Sequence, residues 1–152
     1  MANETTLDAL PIRHVLPKTT GLSIEGHLSI GGCDIRDLAN QYGTPLYIFD
    51  ETDFRGTAQE FRNEFGKRWE NITILYAAKA YLSSPITKIV NQENLGMDVV
   101  SGTELAIALK AGMAPKNLYF HGNNKSTDEL KEAIQTNGAG RIIVDNFHEL
   151  DL

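Results

Sequence analysis

The chain has 152 residues, a formal net charge of −6 and 41% hydrophobic residues, which is enough for one ordinary domain with a sizeable core. The negative charge disfavours nonspecific binding to nucleic acid, because the phosphates would be repelled. No apolar stretch approaches the ~20 residues that span a bilayer, and the first residues lack the basic and apolar regions of a secretory signal. The composition therefore predicts a cytoplasmic protein with neither a nucleic-acid nor a membrane partner.

The first 33 residues contain one strand pattern and the only cysteine. Leu28 and Ile30 alternate with small or polar residues between Gly26 and Gly32, which predicts a strand without an adjacent partner. Cys33 cannot form an internal disulfide and has no CxxC or histidine-rich neighbourhood, so we expect a buried or half-buried side chain and no metal site.

A helix is predicted next. Four apolar residues share one helical stripe between Asp34, a plausible N-cap, and Gly43, a plausible stop. From there a strand-then-helix unit recurs every ~20–27 residues, the size of a βα repeat. The predicted strands are Pro45–Asp50, Ile72–Ala78, Met97–Ser101, Asn117–His121 and Arg141–Asp145. Most are short, continuous apolar runs, as a sheet buried on both faces requires.

The helices between these strands carry start and stop signals. Ser84 precedes a first-turn proline, Ser126 and Glu129 have capping-box spacing, and Asn146 begins another cap-like stretch. A glycine follows each apolar stripe, at Gly66, Gly96, Gly112 and Gly138.

Parallel strands joined by helices either spread as a doubly wound sheet or close as a barrel of eight. About five strands cannot close such a barrel, so under the barrel interpretation the chain would be a truncated product. A flavodoxin-like sheet is the structural alternative, although no glycine-rich phosphate loop follows its first strand.

Ligands gather at the carboxyl ends of the strands in both architectures. Lys79 ends the second predicted strand and alternates with Leu75 and Ala77. Small neighbours would leave room beside it for a planar ligand, and a partly desolvated lysine amine becomes a nucleophile toward aldehydes. A solvated lysine at a strand end is the plainer interpretation.

Four motifs in order and spacing resemble the first part of the diaminopimelate decarboxylases. They are Tyr76-Ala-Ala-Lys-Ala80, Gly96-Met-Asp-Val-Val-Ser-Gly-Thr-Glu-Leu105, Phe120-His-Gly-Asn-Asn-Lys-Ser126 and Ile143-Val-Asp-Asn146. The Gly31-Gly32 pair and the stretch from Tyr42 to Tyr47 also fit the opening of that family. The likeness covers nearly everything from about Leu28 onward.

The resemblance implies an α/β fold of the alanine-racemase type. The chain would be an incomplete (β/α)8 barrel with about the first five strands, preceded by a strand that belongs to a β-domain. Residues 1–33 would contribute that strand, around Leu22–Ile30, and residues 34–152 would form the amino-terminal part of the barrel.

The family's pyridoxal 5'-phosphate lysine maps onto Lys79, which would carry the cofactor as a Schiff base. Asp98 matches an acidic position beside the cofactor, although a structural aspartate fits there equally well. Ser101 and Glu104 match the following turn, in which Thr103 replaces a common second glycine. His121 could approach the cofactor or orient its loop, and Lys125 could be solvated.

The implied reaction is the decarboxylation of meso-2,6-diaminopimelate to L-lysine, with the cofactor as electron acceptor. The family's phosphate loop, ring-nitrogen glutamate, catalytic cysteine and late tyrosine belong to later sequence, so we expect the chain alone to be inactive. Full-length members are typically homodimers. The alternatives are another decarboxylase of this fold, acting on arginine, ornithine or carboxynorspermidine, and a noncatalytic half-barrel that binds a cofactor or a partner.

Overall fold

The computed structural model describes residues 7, 11–136 and 138–152. The chain divides into two compact units, Met1–Thr57 and Ala58–Leu152. Helix α2 (Glu51–Gly66) begins in the first unit and ends in the second.

The described part of the first unit contains a small antiparallel sheet of strands β1 (Gly21–Leu22), β2 (Leu28–Ile30) and β3 (Cys33–Asp34), in that order. The strand predicted at Leu28 is therefore confirmed. The prediction that it has no adjacent partner is wrong, because β1 and β3 pair with it on either side. Their short length hid them from a pattern search. Cys33 is exposed, contrary to expectation.

Helix α1 (Ile35–Tyr42) has the predicted ends. The carboxylate of Asp34 accepts a hydrogen bond of 2.8 Å from the Arg36 N–H, as an N-cap does. Gly43 ends the helix with a φ of 83°, a left-handed conformation in which a Cβ is unfavourable.

The strand predicted over Pro45–Asp50 is wrong. All of these residues are described, and none belongs to a strand. Their apolar side chains are not buried: Tyr47 is fully exposed and Phe49 is exposed by 43%. An apolar run forms a strand only where a neighbour pairs with its backbone, and in the described chain no other strand pairs here.

The second unit contains a parallel sheet of strands β4 (Leu75–Ala77), β5 (Gly96–Val99), β6 (Leu118–Phe120) and β7 (Arg141–Ile142). The described residues thus form four parallel strands in place of five, each shorter than its predicted run. Their order in the sheet follows the chain, β4-β5-β6-β7.

Helices α3 (Ser84–Gln92), α4 (Gly102–Lys110), α5 (Thr127–Gln135) and α6 (Phe147–Leu150) alternate with these strands. The predicted capping box of Ser126 and Glu129 and the Asn146 cap are both present. The cap of α3 is Ser83, one residue before the predicted Ser84. Gly96 begins β5 and does not end α3, and the left-handed residue after that helix is Asn94, with a φ of 52°.

The two faces of the parallel sheet have different surroundings. Right-handed crossovers between strands in sequential order place the connecting helices on one face, where neighbouring helices also contact one another. Side chains that point to this face from β5 and β6 are fully buried, as Met97, Val99, Leu118 and Phe120 show. The prediction that the sheet is buried on both faces is therefore wrong. Sequential order with one-sided helices is the arrangement of a (β/α)8 barrel and excludes the flavodoxin-like alternative.

Candidate active site

The face of the sheet without helices forms an open cavity of about 320 Å³. Strand pairing builds it, because Ala77 lies opposite Asp98 and Asp98 lies opposite Tyr119. These three side chains therefore point to the same face. The cavity is lined by Leu75, Ala77, Asp98, Tyr119, His121 and Ile143. Its size falls in the range of small-molecule sites, which are mostly apolar with a few polar groups.

Lys79 lies beside this cavity in sequence but is not part of its lining. Strand β4 ends at Ala77, and Lys79 sits in the 3₁₀ turn Ala78–Ala80 that follows. The predicted alternation with Leu75 and Ala77 therefore stops before Lys79. The turn packs against β5 and its Ala78 is buried, whereas the Lys79 side chain is exposed. The amine is thus accessible at the carboxyl end of its strand.

Asp98 and His121 meet inside the cavity. The His121 Nδ1 lies 3.5 Å from the Asp98 Oδ1, and their side chains are exposed by 47% and 22% respectively. The His121 N–H donates a bond of 2.8 Å to the Val99 carbonyl, which fixes the residue just beyond β6. A carboxylate at this distance can orient the imidazole ring.

Gly122 permits the chain to turn away directly after His121. Its φ is 105°, and a Cβ there would lie 2.9 Å from the Val100 carbonyl oxygen. Any other residue would clash with that backbone. The histidine therefore depends on this glycine for its place in the loop.

Ser101 is the N-cap of α4, and its Oγ accepts a bond of 3.2 Å from the Glu104 N–H. Its hydroxyl can still donate a hydrogen to a ligand. The Glu104 carboxylate accepts a bond of 2.7 Å from the Val100 N–H, so it supports the turn. Thr103 lies inside the helix, where the turn does not require a second glycine.

Glu129 connects the starts of two helices. Its carboxylate accepts bonds of 2.7 Å from the Gly102 N–H and 2.9 Å from the Ser126 N–H. These backbone donors, Gly102 first, lower the pKa of the Glu129 carboxyl. The capping box was predictable from spacing, but the bond to Gly102 joins residues far apart in sequence and was missed.

Lys125 forms a buried ion pair that sequence reasoning also missed. Its Nζ lies 2.6 Å from Glu149 Oε1, and the two side chains are exposed by 0% and 6%. The same Nζ donates bonds of 2.5 Å to the Gly122 carbonyl and 3.0 Å to the Ile143 carbonyl. Lys125 is therefore not solvated, which was one possibility that the sequence left open, because three acceptors converge on its ammonium group. No local pattern signals this convergence.

Glu149 has a lowered pKa. Loss of solvent raises the pKa of this carboxyl, but the Lys125 hydrogen bond and the Asp145 N–H outweigh that effect. Through Lys125, Glu149 connects the residues that follow β6 with those that follow β7. The pair therefore stabilises one wall of the cavity.

A separate cluster of Glu25, His27 and Asp34 lies in the first unit. The His27 Nδ1 is 2.9 Å from Asp34, and an Arg36 guanidinium nitrogen is 2.8 Å from the His27 Nε2. The arginine covers a histidine nitrogen, so the group is an ion-pair network at the surface.

The parallel α/β unit has polar groups at the ends of its strands. It therefore belongs to the class of ligand-binding barrels, of which it forms a part. Residues 51–152 match the family described as pyridoxal-dependent decarboxylase, pyridoxal binding domain. The chain belongs to this family.

The similar curated proteins are named diaminopimelate decarboxylase. The chain is 46% identical to the one from Bacillus methanolicus over 134 residues, which is 88% of this chain and 31% of that protein. It is 41% identical to the one from Synechocystis sp. over 157 residues, which is 97% of this chain and 33% of that protein. The chain thus spans about a third of the length of these relatives.

Solved structures agree with this assignment. A diaminopimelate decarboxylase from M. jannaschii in complex with L-lysine has a TM-score of 0.77 and 30% identity, covering 89% of this chain and 32% of that one. A lysine/ornithine decarboxylase from Vibrio vulnificus, complexed with putrescine, has a TM-score of 0.71 and 21% identity, covering 86% of this chain and 33% of that one. The second likeness shows the fold alone. In the described residues, no helix is long and apolar enough to cross a membrane.

Proposed function

We propose that this chain is the lysine-bearing part of a pyridoxal 5'-phosphate enzyme that decarboxylates meso-2,6-diaminopimelate to L-lysine. The observation that carries the proposal is the accessible Lys79, in a turn at the carboxyl end of β4 and two residues after Ala77, which lines the cavity together with Asp98 and His121. The relatives at 40–46% identity support the substrate, and arginine, ornithine or carboxynorspermidine would be the alternative substrates.

The residues present fit a planar aldehyde cofactor. Ala77 and Leu75 offer an apolar wall, and the small side chains around Lys79 leave its amine unobstructed. Pyridoxal phosphate supplies an electron-accepting ring to an amino acid that loses carbon dioxide. Lys79 would hold the cofactor covalently through its amine, and the Ser101 O–H could donate a hydrogen bond to a polar group of the ligand.

Asp98 and His121 would act together in the cavity. The Asp98 carboxylate lies beside the Nδ1 of His121 and can orient the ring, and the other ring nitrogen can form a hydrogen bond with a ligand. We assign His121 the role of orienting the cofactor ring and Asp98 the role of orienting His121. The Lys125 and Glu149 pair maintains the loop in which His121 lies.

The organisation of the whole protein is also part of this proposal. Residues 1–33 would contribute a strand to a β-domain and residues 34–152 would begin the barrel. The complete enzyme would be a cytoplasmic homodimer that binds an amino acid and neither nucleic acid nor membrane. The negative net charge of −6 supports the absence of a nucleic-acid partner.

Reductive trapping tests the cofactor site. Treatment of the chain with pyridoxal phosphate and sodium cyanoborohydride should give a stable adduct on Lys79, identified by peptide mass spectrometry. Lys79→Ala should abolish that adduct. Lys88→Ala, which removes an exposed lysine on α3, is the matched control and should leave it unchanged. Equal labelling of Lys79 and other exposed lysines would contradict a specific site.

A further inference from the structure

Contacts of the residues before Lys79 hold the start of the turn that carries this lysine. Ala77 pairs with Asp98 in the sheet, and Ala78 is exposed by only 2%. These two contacts fix the chain up to the residue before the lysine. They do not fix Ala80 and Tyr81, where the chain leaves the sheet.

A side-chain hydrogen bond holds the other end of the turn. The Tyr76 hydroxyl donates a bond of 2.6 Å to the Tyr81 carbonyl oxygen. Tyr76 precedes the turn and Tyr81 ends it in an extended conformation. The bond therefore closes a short loop in which Lys79 is a central residue.

The Tyr76 side chain lies on the helix-covered face of the sheet. It alternates with Leu75 and Ala77, so it points away from the cavity, to the face on which its pairing partner Met97 is fully buried. Desolvation raises the pKa of the Tyr76 hydroxyl. The group consequently stays protonated and remains a donor throughout the neutral pH range.

We propose that Tyr76 is a positioning residue, whose bond to the Tyr81 carbonyl fixes the turn that presents the Lys79 amine to the cofactor aldehyde. This inference rests on the proposed function. The lysine side chain has four rotatable bonds and an exposed amine, so a mobile turn would add further conformations in which the amine misses its target. Tyr76 acts through Lys79 and does not itself contact the cofactor in this scheme.

Tyr76→Phe removes one oxygen atom and tests the proposal in the full chain. The measured quantity is the rate of Lys79 adduct formation with pyridoxal phosphate and cyanoborohydride, at several cofactor concentrations. At saturating cofactor we expect a rate about fivefold lower, the effect of one ordinary hydrogen bond. The half-saturating concentration should stay within about twofold, because the cavity lining is unchanged.

Tyr47→Phe is the matched control. It makes the same chemical change at a fully exposed tyrosine outside the second unit, and its trapping rate should equal that of the wild type. Hydrogen exchange gives a second readout on the same proteins. Amides of residues 78–82 should exchange faster in Tyr76→Phe, while those of β5 and β6 should not change.

The outcomes separate this inference from the proposed function. A wild-type chain without an adduct on Lys79 contradicts the proposed function. A wild-type chain with the adduct, together with an unchanged rate in Tyr76→Phe, overturns the role of Tyr76 alone. If Tyr76→Phe does not fold, para-aminophenylalanine at position 76 restores a donor. Its trapping rate should then lie within about twofold of wild type, and a larger loss overturns the inference.

Discussion

The two faces of the parallel sheet differ although the same strands build both. On the helix-covered face, Met97, Val99, Leu118 and Phe120 are fully buried. On the other face, Asp98, Tyr119 and Ala77 are half-exposed around an open cavity. Alternation along each strand sends successive side chains to opposite faces. Within one strand, residues on one face therefore form the packed core and their neighbours line the cavity. Substitutions on the two faces should have distinct effects.

The largest effect is expected on the covered face. Phe120→Ala should lower the free energy of unfolding by about 3–5 kcal/mol, because it opens a cavity among packed side chains. Leu75→Ala on the open face should cost only about 1 kcal/mol. Urea unfolding followed by circular dichroism measures both. Similar losses at the two positions would contradict the division between the faces.

The buried ion pair should give the next largest effect. Lys125→Met leaves the Glu149 carboxylate buried without its partner and should cost about 3–5 kcal/mol. The double variant Lys125→Met with Glu149→Leu removes both charges and should recover to within about 1 kcal/mol of wild type. Lys131→Met, on the exposed surface of α5, is the control. A loss in the double variant as large as in the single one would show that the charge pair is not the cause.

Lowering the pH should destabilise the protein through Glu129, which connects the starts of α4 and α5. The pKa of Glu129 is lowered in the folded chain from an ordinary value of 4.5, so its contribution to stability is complete above that pH and is lost as the pH falls through the folded pKa. Glu129→Gln should therefore flatten the decline in stability below about pH 4.5. Urea midpoints from about pH 6 to about pH 3 measure it. Glu132→Gln, an exposed position on the same helix, should leave the decline as it is.

The smallest effect on stability is expected at the proposed catalytic residue. Lys79→Ala should change the free energy of unfolding by less than about 0.5 kcal/mol, because its side chain is exposed. The same variant should lose the trapped cofactor completely. A large loss of stability would indicate that Lys79 serves the fold and would weaken its assignment as a functional residue.

The features that sequence predicted are those that depend on residues close together in the chain. The Asp34 cap, the Ser126 capping box and the parallel strands follow from local spacing and from short apolar runs. The strand predicted over Pro45–Asp50 failed because an apolar run does not specify whether another strand will pair with it. The Ser83 cap was missed by one residue, since neighbouring serines offer equal caps.

The candidate site likewise contains residues that the sequence predicted and one that it did not. Lys79, Ser101 and His121 were predicted as site residues from their positions at strand ends and Asp98 from the family resemblance, and the structure brings Asp98 and His121 together while Ser101 caps a helix. Lys125 could not be interpreted from its neighbours, because its three acceptors come from Gly122, Ile143 and Glu149. Its burial depends on the end of β7, some 18 residues away along the chain.

Three glutamates at the starts of consecutive helices make this end of the barrel unfavourable for anions. Glu104, Glu129 and Glu149 each turn a carboxylate back onto backbone N–H groups at or just before a helix start. Those N–H groups would otherwise attract a phosphate. A phosphorylated ligand arriving here meets negative charge at all three helices, so its ring can settle beside Asp98 and His121 only with its phosphate directed elsewhere.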